Sequence, residues 1–411
     1  MAPYESEDSA NAGEADDLRA GRRKAARYIV PVTVIGVAAA TIGLVPALAD
    51  SGDPSLPKIS AQQLIEKIAA SDVQQLSGTV KITTDLGLPD LGGLESGLLS
   101  GATRQGDGGS AADPSAKLTE LAAGTHTLRV AADGPDRQKL SLLENAAEYS
   151  LIHDGKDVWG YDSKSGEVYH ATAPDSAGAR QKQEVPATPK DLTDEALKSV
   201  DDTTSVAVDG TAQVAGRDAY RLVIKPRQSG STVGAISVAV DARTGLPLKF
   251  TLTPAGGGAA VVDAGFTQVS FSRPAASTFD FTPPKGAKVT EGDKVTEGDK
   301  AVHGKPRIPG GGKSAGGLSE GKGLEGLKVI GEGWNSVATF DTGGGKLPTG
   351  SSAGGDLGGF LGSLGDHVTG KFGSGTVFST RLVNALATDD GKLYVGAVTK
   401  DALVKAADAG K

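Results

Sequence analysis

Apolar and polar residues begin to alternate with a period of two at Leu76, where Leu76, Gly78, Val80 and Ile82 interleave with Ser77, Thr79, Lys81 and Thr83. That is the pattern of a strand with one buried face. Just upstream the period is helical: Ser60 and Gln63 have capping-box spacing, and Leu64, Ile65 and Ile68 share a face, which predicts a short helix. Short runs separated by turn residues then predict strands over Thr125–Ala132, Arg137–Glu144, Tyr149–His153, Asp157–Asp162 and Glu167–Ala171. Leu192, Ala196, Leu197 and Val200 share a helical face, so a helix is expected around Thr193–Val200. Strands resume over Ser205–Val214, Ala219–Pro226, Thr232–Asp241, Leu246–Thr253 and Ala260–Phe271. The expected fold class is mainly β, with about eleven strands, two or three helices and no βαβ alternation, so the sheet is antiparallel. A sheet of that size must curl or close to protect its edges.

Between Asp85 and Gly124 the alternation is lost in a Gly- and Asp-rich insertion. Leu88, Leu91, Leu94, Leu98 and Leu99 form one stripe of a short helix there, weakened by Gly92, Gly93 and Gly97. Such a helix needs an apolar surface to lie on. Two readings stay open: a mobile lid over an apolar cavity, or a helix packed permanently on the core.

Beyond the strands, Lys288-Val-Thr-Glu-Gly-Asp293 is repeated at once as Lys294-Val-Thr-Glu-Gly-Asp299. With only two copies this reads as a charged linker duplication and not as a solenoid. Lys328–Phe340 and Thr376–Leu386 read as strands, Asp389-Asp390-Gly391 as a turn into Leu393–Val398, and Asp401 as the cap of a helix over Ala402–Ala409. These are too few strands for an independent core. The tail is expected to pack on the large sheet, covering an edge strand, or to form a small satellite unit.

The N-terminal end adds a location. Its first residues are polar and acidic and are expected to be disordered. Arg22, Arg23, Lys24 and Arg27 then precede the uncharged run Tyr28–Ala49, a membrane-targeting segment whose basic flank stays inside, so the chain after Ala49 is expected outside the cytoplasm. Ala47-Leu48-Ala49 before Asp50 also has the form of a signal-peptidase site, which leaves a single-pass membrane anchor and a cleaved, secreted product both open. The expected organisation is a leader over 1–27, an anchor or signal peptide over 28–49 and a linker over 50–59. A sheet domain over 60–287, with an insertion over 85–124, a low-complexity linker over 288–326 and an extension over 327–411 complete it.

Composition mainly excludes. The chain has 411 residues, 42 Lys plus Arg against 50 Asp plus Glu, and a net charge of −8, which leaves no basic footprint for nucleic acid. Zero cysteines exclude disulfides, a thiol nucleophile, thiolate zinc sites, iron–sulfur clusters and an N-terminal lipid anchor. The five histidines, His126, His153, His170, His303 and His367, occur singly, with no partner at the helical spacing of a metal motif. Gly312-Lys313-Ser314, Gly321-Lys-Gly323-Leu-Glu-Gly326 and Ser55-Leu-Pro-Lys58 touch phosphate-loop, dinucleotide and acylase patterns, but lack the flanking elements those sites need. No enzyme, cofactor or metal is expected.

Four ordered pieces carry a resemblance: Ser150-Leu-Ile-His-Asp-Gly-Lys-Asp-Val-Trp-Gly-Tyr-Asp162, Asp218-Ala-Tyr-Arg-Leu-Val-Ile-Lys-Pro226, Ser237-Val-Ala-Val-Asp-Ala-Arg-Thr-Gly-Leu-Pro-Leu-Lys-Phe250 and Phe279-Asp-Phe-Thr-Pro-Pro284. Together they resemble the LolA/LolB/RseB superfamily across residues 58–287. The resemblance implies a half-open antiparallel barrel whose concave apolar face, covered by helices, binds the acyl chain of a lipid or lipoprotein in a carrier role. On that basis Val80, Ile82, Leu128 and Val130 would line the cavity, and Leu88, Leu91, Leu94, Leu98 and Leu99 would form its lid. Burial at about 0.8 kcal/mol per CH₂ would hold such a chain without a specific polar contact. No arginine stands out for the latch of the carrier, although Arg104 and Arg129 lie in the region. The resemblance equally admits an RseB-like envelope-stress sensor or a structural envelope protein whose partner is another protein.

Overall fold

The computed structural model describes residues 54–87, 110–114, 117, 120–121, 123–172, 188–292, 328–341 and 365–410. Ser60 opens the first helix, α1 (Ala61–Ala69), by accepting the Gln63 N–H while the Gln63 side chain returns to the Ser60 N–H. This places Leu64 and Ile68 on the buried face. A meander follows, of β1 (Gln75–Thr84), β2 (Gly124–Asp133), β3 (Arg137–Glu144), β4 (Ala147–Asp154), β5 (Asp157–Asp162) and β6 (Glu167–Thr172). Helix α2 (Pro189–Lys198) begins earlier than apolar spacing predicts, because Thr188 and Asp191 form a second capping box and Pro189 suits the first turn. A second meander comprises β7 (Thr204–Val214), β8 (Arg217–Pro226), β9 (Val233–Asp241), β10 (Pro247–Pro254) and β11 (Val262–Ser270).

β1 pairs antiparallel with β2 on one side and β11 on the other, so the two meanders join through their first and last strands. All eleven strands expected from the alternation are present and pair antiparallel. A twelfth, β12 (Val289–Glu291), lies within the charged duplication and adds parallel to the outer side of β6.

Residues paired across neighbouring strands share a face. Val80 lies opposite Leu128 and Phe266, Leu128 opposite Leu142, and Leu142 opposite Tyr149. This inner face continues through Leu222, Ile224, Ile236, Val238, Phe250 and Leu252, against which Leu64, Ile68 and Ala196 of the two helices pack. Each such side chain, fully buried, contributes about 1.5–3 kcal/mol.

The other face is crossed by a strap that leaves β11. Arg273 pairs with Asp133, the Arg137 guanidinium lies 5.9 Å from the centre of the buried Phe279 ring, and Phe281 leans on Trp159 and Tyr161 at 5.6 and 5.7 Å before the chain reaches β12.

The C-terminal part forms a second sheet of six strands. They are β13 (Lys328–Ile330), β14 (Val337–Asp341), β15 (Asp366–Gly370), β16 (Gly373–Ser379), β17 (Asn384–Thr388) and β18 (Lys392–Gly396). The strand expected over Leu393–Val398 is present as β18, and those expected over Lys328–Phe340 and Thr376–Leu386 are each split. A turn of 3₁₀-helix over Gly333–Asn335 breaks the first, and the second breaks where the Thr380 hydroxyl closes a turn on Val383. Helix α3 (Lys400–Ala409) is capped by Thr399 rather than Asp401, which falls in its first turn. The expectation of too few strands is corrected: Val337, Phe372, Val377, Leu386, Tyr394, Val398, Leu403 and Ala407 make a core of their own.

This unit also packs on the large sheet, but on the ends of its strands and not along an edge. Trp334 and Ala397 join the core of α1 and β8–β10, Trp334 Nε1 donates to Thr204 at 2.8 Å, and Arg381 reaches Asp85 and the Ala259 carbonyl.

Candidate ligand-binding face

The inner face brings together four of the residues named from the sequence. Val80 and Leu128 are 0 % exposed and Ile82 5 %, and half-buried Val130 packs on the same cluster. Leu88, Leu91, Leu94, Leu98 and Leu99, with Arg104 and the segment 28–49, lie outside the described residues.

The end of the insertion does reach this face. The described residues between 110 and 123 form a cover whose Leu121 rests on the inner cluster. Its first anchor is Glu167, whose carboxylate accepts the Ser110 hydroxyl at 3.0 Å and the Ala111 N–H at 2.8 Å. The Ala111 N–H, Lys288 and Ser110 hold that carboxyl below its ordinary value. Next, Tyr149 donates its hydroxyl to the Ala112 carbonyl at 3.1 Å. Burial raises the Tyr149 pKa and so keeps it a neutral donor. The third anchor is Lys117, with Glu144 at 2.9 Å, Glu120 at 3.2 Å and Asp162 at 3.4 Å. Burial alone would lower its pKa, but the hydrogen bond and charge of Glu144 and Glu120 outweigh it and raise the ammonium above its usual range.

The backbone comes close enough for a glycine to be required. A Cβ on Gly160 would stand 2.4 Å from the Ala112 carbonyl oxygen. Beneath the cover a void of about 10 Å³ remains, lined by Leu121, Leu128, Leu140, Leu142, Tyr149 and Leu151 among others. In this conformation the face is closed.

Sequence reasoning missed these anchors. Glu167 and Tyr149 on the sheet and Lys117 in the cover each find partners 27 to 57 residues away, so no local spacing announces them. The one readable signal is Gly160, an interior strand glycine, which often marks close approach of another backbone. Arg129 is no latch: paired with Thr79 and Ser141, it faces the opposite side of the sheet. There it lines an open polar groove of about 460 Å³ with Lys139, Ser141 and Glu148.

His170 also departs from expectation. Although no sequence-local partner exists, its Nδ1 lies 2.9 Å from Glu291 and its Nε2 3.0 Å from Asp157, with the ring stacked on Trp159 at 3.9 Å. Burial alone would lower its pKa, but the hydrogen bonds and charges of Asp157 and Glu291 outweigh that and raise it above 6.5. The stability it contributes is therefore full below the unfolded value and is lost as pH rises through the raised folded value. Melting curves across this range should show a pH-dependent decline that His170→Gln abolishes; an identical decline in the variant would exclude His170 as its source. Among the described residues no cluster of His, Cys, Asp or Glu could hold a metal ion, and no helix is long and apolar enough to cross a membrane.

No family model and no curated protein matches the chain. Solved structures do. The MucA/MucB complex of Pseudomonas aeruginosa is similar at 17 % identity over 84 % of this chain and 96 % of that one, with a TM-score of 0.37. A LolA superfamily protein from Nitrosomonas europaea is similar at 10 % identity over 55 % of this chain and 99 % of that one, with a TM-score of 0.21.

Proposed function

We propose that the inner face binds the acyl chain of a lipid or lipoprotein outside the cytoplasm, in a carrier or chaperone role, with the 110–123 cover lifting to admit it. The observation that carries the reading is the contrast between the two surfaces in contact. The face beneath is aliphatic over Leu128, Leu140, Leu142 and Leu151, whereas the cover is held largely by polar anchors at Glu167, Tyr149 and Lys117. Polar anchors can be exchanged for water at small net cost. An acyl chain that takes the place of the cover gains about 0.8 kcal/mol per buried CH₂. The leucines at 88–99 would complete the apolar enclosure, and the segment 28–49 would tether the protein to the cell membrane, or be removed by cleavage after Ala49.

Native mass spectrometry of protein purified from its own host should reveal co-purified lipid, and a fluorescent fatty acid should bind and be displaced. Empty protein together with no displacement would sink the reading. Gly160→Val should push the cover off through the Ala112 carbonyl. If opening limits binding, apparent affinity for the fatty acid rises about tenfold as the open population grows. Unchanged affinity in a cooperatively folded variant would show that the cover does not gate the face.

A second reading is favoured by the small void of about 10 Å³, which suits a face that stays closed. The chain would then act as an envelope sensor or structural protein through contacts with another protein, as MucB is seen in complex with MucA. Lipid-free protein that retains a protein partner in pull-down from envelope extracts would select it.

A further inference from the structure

The duplicated hexapeptide is explained neither by the sheet nor by the proposed ligand. Its first copy forms β12, and the contacts there amount to a side-chain code. Val289, Thr290 and Glu291 pair with Val168, Tyr169 and His170, and the strand is closed by Val168 N–H to the Lys288 carbonyl at 2.9 Å and Gly292 N–H to the His170 carbonyl at 2.7 Å. Lys288 Nζ sits 3.1 Å from Glu167, and Glu291 sits 2.9 Å from His170 Nδ1. At the fifth position a Cβ on Gly292 would stand 2.1 Å from the Tyr169 hydroxyl, so any larger residue must displace the Tyr169 ring. The outer side of β6 thus selects a cation, a carboxylate and a glycine at the first, fourth and fifth positions of an extended segment. Val289, 41 % exposed, contributes little to that selection.

The second copy presents the same groups in the same order: Lys294, Val295, Thr296, Glu297 and Gly298. We infer that the β6 edge is a sequence-specific acceptor with two interchangeable ligands in its own chain, Lys288–Gly292 and Lys294–Gly298, which exchange by a six-residue step. Identity of the two copies means that every contact of the first can be remade by the second. The step feeds about 20 Å of extended chain into the strap. That slack loosens the hold of Phe279 and Phe281 on the outer face while β6 keeps a paired edge. The inference is independent of what the inner face binds.

Charge reversal separates the copies. In the full chain, Lys288→Glu with Glu291→Lys opposes Glu167 and His170 at the first copy, and Lys294→Glu with Glu297→Lys does the same at the second. Residue-resolved hydrogen exchange at the Val168 amide, which donates to β12, is the readout. Either pair alone should leave protection within about tenfold of the parent, and the four changes together should reduce it by about a hundredfold or more. Gly292→Val, which blocks the first copy by shape, should match the first pair. Loss of protection in the first-copy variants as complete as in the fourfold variant would overturn the exchange. So would protection of those variants that appears only at concentrations where the protein dimerises, since the second copy would then act between chains.

Discussion

Trp334→Ala is expected to lower the unfolding free energy by about 3–5 kcal/mol, the cost of emptying a fully buried aromatic site, and to divide a single unfolding transition into two. Trp334 is 0 % exposed, yet it belongs to the six-stranded unit while its ring fills the core of α1 and β8–β10. Its indole N–H donates to the Thr204 hydroxyl at the start of β7, so truncation also removes one hydrogen bond from a buried group that otherwise pairs only with Asp201. The neighbouring Gly333 sits so close to Thr203 that a Cβ there would stand 2.3 Å from the Thr203 hydroxyl, so the turn is packed tightly beside the indole. The other links are polar and dispersed: Asn335 to the Ser229 carbonyl, Ser231 and the Thr232 N–H to the Ala397 carbonyl, the Thr399 N–H to the Gly230 carbonyl, the Thr232 hydroxyl to the Leu382 carbonyl, and Arg381 to Asp85 and the Ala259 carbonyl. Urea unfolding followed by intrinsic fluorescence and by far-UV circular dichroism should therefore give non-coincident curves in the variant. Coincident curves with an unchanged midpoint would show that the two sheets are coupled elsewhere.

Asp241→Ala should cost about 3 kcal/mol, toward the low end for breaking a buried ion pair because Arg217 remains partly exposed. Asp241 is 1 % exposed at the end of β9. One of its oxygens accepts the N–H groups of Arg243 and Thr244 and the Thr244 hydroxyl, and Arg217 pairs with the carboxylate from β8. Alanine would leave those donors without an acceptor inside the turn that leads to β10. Burial alone would raise the Asp241 pKa, but the hydrogen bonds from Arg217 and Thr244 and the guanidinium charge outweigh it and lower the value below 3.8. Its stabilisation is thus present above the unfolded value and is lost as pH falls through the depressed folded value. Denaturation midpoints in acid should converge for parent and variant; a gap that stays constant to the lowest pH would show that the carboxylate charge is not the source.

The eleven strands of the large sheet are legible because most of them alternate and are bounded by turn residues, as at Asp154-Gly155 and Thr244-Gly245, although β9 and β11 bury consecutive residues. The same alternation by itself puts Val80, Ile82, Leu128 and Val130 on one face. β12 is hidden for a physical reason: three residues in a charged repeat have no buried period, and what holds them is Glu167 and His170, both more than a hundred residues away. β15 is hidden similarly, since within Asp366-His-Val-Thr-Gly370 only Val368 is half-buried. The cover is the hardest case. Its anchors come from β3, β4, β5 and β6, so Lys117 is indistinguishable in sequence from any surface lysine until the sheet brings Glu144 and Asp162 beside it.

The β1–β11 seam has a consequence for how the protein comes to be made. Thr267 donates to the Thr79 carbonyl across 188 residues of chain, and this seam is what joins the two meanders into one sheet. Contacts of such separation fold slowly, because the loop entropy is lost before the pairing returns it. Until residue 270 has emerged, β1 presents one bare edge, and a nascent chain in that state is open to mispairing. The seam therefore ties completion of the large sheet to delivery of nearly the whole sheet domain, so the sheet closes late in synthesis and as one event.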